Sequence, residues 1–119
     1  MNTNQTTNTI NVLIINPGEP HRRALIPNTL EAKQHIVGGY IENVYIGEHA
    51  SCYVNEEGKL TGLLPNRALT DDTGDVLDIL CGTILITGHD PETGRDTDLT
   101  AQEARSCTLR LGGPLLTAI

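Results

Sequence analysis

The sequence predicts an α+β fold: a small, mostly antiparallel sheet of about five or six strands with two short helices. Three observations carry this reading. Short apolar runs rich in Ile, Val and Leu recur along the chain, each bounded by Pro, Gly, Asn or Asp. Most neighbouring runs are separated by a few polar residues, the length of a hairpin loop. Two segments open with helix N-terminal signatures, Asn28-Thr29-Leu30-Glu31 and Thr100-Ala101-Gln102-Glu103. A chain of 119 residues fits a single domain.

Met1 to Thr9 is almost entirely Asn, Thr and Gln and reads as a disordered lead-in, leaving residues 10–119 for the domain. Asn11 to Asn16 is a nearly continuous apolar run, as in a strand buried on both faces. Arg22 to Ile26 forms a second strand after the Pro17-Gly18 and Pro20 loop, and Pro27 stops it. Asn28 fits a helix N-cap, with Glu31 three residues on; Leu30, Ile36 and Val37 supply the apolar face and Gly38 the C-terminal stop. Ile41 to Ile46 and Ser51 to Glu56 pair as a hairpin, followed by the turn Asn55 to Lys59. Leu60 to Leu64 returns as an apolar strand ended by Pro65, and Asn66 to Asp78 is an acidic loop or hairpin tip. Val76 to Leu80 is a further strand. Gly82 to Gly88, in the most apolar stretch of the chain, is a central one. His89 to Asp98 is a turn-rich loop, and the Thr100 capping box opens a helix through about Leu109. The closing Leu115 to Ile119 suits an edge strand or packing on a second subunit.

Composition limits function. Fifteen acidic residues against eight basic ones give a net charge of −7, which excludes a general nucleic-acid binder with a basic face. With neither Phe nor Trp, any stacking on a base falls to Tyr40, Tyr45, Tyr53 or an Arg plane. No run is long and apolar enough for a membrane span, and the N-terminus lacks the pattern of a signal peptide. Cys52, Cys81 and Cys107 are widely spaced and form no Cys-x-x-Cys pair, as expected of buried thiols in a reducing cytosol.

Several short motifs invite chemistry and are better read as structure. Asp72-Thr73-Gly74 matches the aspartic-protease triplet, but Asp71 and Asp75 crowd it as in an exposed turn. His89-Asp90 sits beside Gly88 and Pro91, without the helical framework and further ligands of a metal-binding pair. No cofactor is indicated. The polar residues suited to a ligand are Arg22 and Arg23, then Gly38, Gly39 and Tyr40, then Asn66 and Arg67. Arg favours bidentate phosphate contacts, paired glycines permit close backbone approach, and Tyr offers a stacking face. Nine of the fifteen acids lie between Asp71 and Glu103, a distribution that a mimic of the DNA backbone would also show.

The blocks Val12-Leu-Ile-Ile-Asn-Pro-Gly18, Asn28-Thr-Leu-Glu-Ala32, Val37-Gly-Gly-Tyr-Ile-Glu42, Asn55-Glu-Glu-Gly-Lys59, Leu64-Pro-Asn-Arg67 and Gly82-Thr83 occur in this order. Together, over roughly Ile10 to Gly88, they resemble a domain-of-unknown-function family of small phage, prophage and conjugative-element proteins. That family usually carries an aromatic near Ile84 and Leu85, absent here, and it brings no catalytic residue. The resemblance implies a mobile-element protein working in the host bacterial cytosol. The expectation that follows is a non-enzymatic homo-oligomer that sequesters a small anionic nucleotide, an immune signal, at the seven residues above. The alternatives are an acidic inhibitor or DNA mimic, and a small hydrolase.

Overall fold

A computed structural model of the chain describes residues 8–115. Residues 1–7 of the expected lead-in and residues 116–119 of the closing run lie outside the described residues. Thr9, counted with the lead-in, already belongs to the first strand.

β1 (Thr9–Ile15) and β2 (Arg22–Pro27) form an antiparallel hairpin around the Pro17-Gly18 loop. α1 (Leu30–Val37) follows. Its N-cap is Thr29, whose hydroxyl accepts from Ala32 N at 3.1 Å, and not Asn28. The Asn28 side chain donates instead to the Asp96 carbonyl. Gly38 closes α1 in the left-handed region, φ 82°, where a side chain would be strained. β3 (Ile41–Val44) and β4 (Ala50–Asn55) pair as the expected hairpin.

The next segment departs from the sequence reading. Residues 56–62 form turns, and β5 (Pro65–Thr70) begins where a strand was expected to end. Leu60 and Leu64 are exposed while Asn66 and Arg67 are buried, so apolar content pointed to the wrong residues. A Pro that ends one strand and a Pro that opens the next look alike in sequence, because the first strand position needs no ladder N–H. β6 (Val76–Cys81) pairs with β5, with the acidic turn at the hairpin tip. β7 (Ile84–His89) follows, then β8 (Asp96–Thr97) inside the expected loop, and α2 (Ala101–Leu111). Thr100 caps α2 by accepting from Glu103 N at 3.1 Å.

The main sheet runs β2-β1-β7-β4-β3 and every pairing is antiparallel; β5 and β6 form a separate two-stranded sheet. β7 is central, and its Ile84, Leu85 and Ile86 are fully buried, each worth about 1.5–3 kcal/mol. Alternation sorts the core into two layers. Val12, Ile14 and Leu85 pack with Val37 of α1 on one face. Leu13, Ile15, Ile84 and Ile86 pack on the other with Cys107 and Leu111 of α2, Leu69 of β5 and Leu80 of β6.

β1 and β7 stay paired only from Leu13 to Ile15 against Ile84 to Ile86. Beyond that the β8 segment enters between them. Gly88 faces Thr97 and His89 faces Asp96, while Leu99 N donates to Asn11 O at 2.9 Å and Asn11 N to an Asp98 carboxylate oxygen at 2.7 Å. Gly88 is required there, because a Cβ would overlap the Asp98 carbonyl oxygen.

Candidate functional site

The seven residues expected to bind a ligand fall into three separate places. Arg22 and Arg23 are consecutive on β2, so their side chains leave opposite faces of the sheet. Arg23 Nη2 donates to the Leu99 carbonyl at 2.5 Å, just ahead of α2. Arg22 is exposed and makes no side-chain hydrogen bond among the described residues.

Asn66 and Arg67 are 0% and 2% exposed and act as internal fastenings. Asn66 Nδ2 donates to the Ile15 and Gly82 carbonyls, both at 2.8 Å. Its Oδ1 accepts from Arg67 Nη1 at 2.7 Å, and Arg67 Nη2 donates to the Glu19 carbonyl at 2.6 Å. Burial lowers the Arg67 pKa from its ordinary value. The structure therefore occupies these two side chains with β1, β5 and the adjoining loops, and does not bring them to a common surface with Arg22.

Gly38, Gly39 and Tyr40 do come together. They line an open groove of about 480 Å³ with Gln34, Asn55 and Leu63. Asn55 Nδ2 donates to the Val37 carbonyl at the end of α1, at 3.3 Å, and leaves no room for a side chain on Gly39. Tyr40 is 70% exposed at the rim. A second depression of about 310 Å³ continues past Gly38 and Leu63 to Pro17 and Thr83. Amides, glycine backbone, a phenol ring, the Thr61 hydroxyl and the Glu57 carboxylate line this groove, and no Lys or Arg does.

A polar network that sequence reasoning did not assemble occupies the α1 face of the sheet. Asp96, brought in by β8, accepts from Lys33 Nζ at 2.5 Å and from Tyr53 OH at 2.7 Å. Lys33 Nζ also lies 5.6 Å from the Tyr53 ring centroid. Burial, then the hydrogen bond to Asp96, raises the Tyr53 pKa from 10.0 to about 12. His89 Nδ1 is 3.8 Å from the other Asp96 oxygen and 3.4 Å from Ser51 Oγ. Ser, His and Asp are thus neighbours, but Ser51 and Asp96 meet the same ring nitrogen. A nucleophile relay needs one on each nitrogen, so this is not that geometry. The sequence did hold a signal: Lys33 stands four residues before Val37 on the buried stripe of α1, and a buried Lys requires a carboxylate.

Five of the acids between Asp71 and Glu103 have partners among the described residues. Asp71 caps its own turn by accepting from the Thr73 hydroxyl and from Thr73 N and Asp75 N, which holds its carboxyl below the ordinary range. Asp78 pairs with Lys59 at 2.6 Å, Asp90 accepts from Glu92 N, and Asp96 and Asp98 are held as described. Among the described residues no group of three or more His, Cys, Asp or Glu is placed to hold a metal. The three cysteines are free. Burial pushes Cys52 up to about 12 and Cys107 to about 11, so both stay thiols at neutral pH. Among the described residues no helix is long and apolar enough to cross a membrane.

A family model for a domain of unknown function, DUF3846, matches residues 10–112. No curated protein and no solved structure matches the chain.

Proposed function

From the premise that the chain belongs to the DUF3846 family, we propose that it is a non-enzymatic binding protein of a phage or related mobile element. It works in the host cytosol by sequestering a nucleotide immune signal. The supporting observation is the groove at Gly38, Gly39 and Tyr40. It offers one exposed ring for stacking on a base, the Gln34 amide for base-edge hydrogen bonds, and glycine backbone for close approach.

The groove lining carries no cation, so it takes the base and sugar. The phosphates fall to arginines brought up in a homo-oligomer, of which Arg22 is exposed on the outer strand β2. Arg67 has no part in this reading, because its guanidinium is spent on backbone carbonyls.

The test is incubation with cyclic dinucleotides, cyclic trinucleotides and cyclic ADP-ribose isomers, removal of the protein, and heating to release what it held. Depletion of one class and its intact recovery is the expected result. Depletion of none overturns the proposal, and recovery of an altered nucleotide replaces it with a hydrolase.

A further inference from the structure

A second pocket, of about 320 Å³, lies at the other end of β3 from the Tyr40 groove and includes Asn43, Tyr45, Glu48, Ser51 and His89 in its lining. We propose that it recognises a cationic, donor-rich group, an ammonium or a guanidinium. The acidic group in its lining is the Glu48 carboxylate. Asp96 lies on the Nδ1 side of His89, 3.8 Å away, and Nε2 makes no hydrogen bond among the described residues. Glu48 is a carboxylate 71% exposed at the rim, with His49 beside it at 3.8 Å. Tyr45, 75% exposed, presents a ring of the kind that attracts cations. Asn43 and Ser51 complete the polar part of the lining.

No Lys or Arg lines the pocket, and the nearby Lys33 is locked on Asp96. An anion would meet the Glu48 carboxylate, which repels it, whereas a cation meets that carboxylate and the Tyr45 ring. The same chemistry is offered by a free small amine or by the basic side chain of a protein.

The test is an NMR titration with agmatine, with spermidine, and with a short Arg-containing peptide, following Asn43, Tyr45, Ser51 and His89. These signals are expected to move while the core signals of Ile84 to Ile86 stay fixed. Glu48→Gln and Tyr45→Ala, both at exposed positions, are each expected to weaken binding about five- to tenfold. Tighter binding of the peptide assigns a protein partner, and tighter binding of agmatine or spermidine a free amine. Absence of shifts with all three probes at millimolar concentration overturns the proposal. So does unchanged affinity in both variants. Neither result bears on nucleotide binding in the Tyr40 groove, which involves other residues.

Discussion

Asn66 holds three parts of the molecule with one amide. Its Nδ2 satisfies two backbone carbonyls, at the end of β1 and in the β6–β7 turn, and its Oδ1 receives Arg67. Asn66→Ala removes all three bonds inside the protein, and each unsatisfied buried group costs about 1–3 kcal/mol. Chemical denaturation is expected to show a loss of at least about 3 kcal/mol; a loss below about 1 kcal/mol would mean that Asn66 is no fastening. Tyr53 makes a second prediction. Burial, and then the hydrogen bond its phenol donates to Asp96, favour the neutral form, so its pKa rises from 10.0 to about 12. The stabilisation is complete below pH 10 and disappears as pH rises through about 12. An ultraviolet titration is expected to show one tyrosine ionising near 12, a component that Tyr53→Phe removes. The polar identity of Asn66 and Arg67 was plain in the sequence. Their burial was not, because it depends on carbonyls contributed by residues far along the chain.

Elements whose signals are local were legible. The Thr100 box caps α2, the β3–β4 hairpin forms, and the apolar run of Ile84 to Ile86 becomes the centre of the sheet. β5 was not legible, because Leu60 and Leu64 are apolar yet exposed while the true strand opens on a Pro and two buried polar residues. β8 is two residues long and carries no pattern of its own; it exists because Gly88 leaves space for it. Gly88→Ala is therefore expected to displace the β8 segment and separate Asp96 from Lys33. The expected loss in thermal or chemical unfolding is about 1–3 kcal/mol from overpacking, and more where Lys33 is left unpaired. An unchanged melting temperature would show that the segment does not need this gap.

At the scale of the molecule, a charge of −7 and the absence of Phe and Trp leave few ways to hold a nucleotide. The candidate site was partly legible. Gly38, Gly39 and Tyr40 are close in sequence and do share a groove, whereas the four others depended on tertiary placement and went elsewhere. The account now rests on Tyr40 as the stacking face, and a base stacked on an aromatic ring is worth about 1–3 kcal/mol. Equilibrium dialysis of whichever nucleotide the intact protein depletes, with the unaltered chain and with Tyr40→Ala, tests this most directly. The account predicts that Tyr40→Ala weakens retention about tenfold or more while the protein stays folded. Equal retention by both proteins, or no nucleotide retained by either, would contradict it.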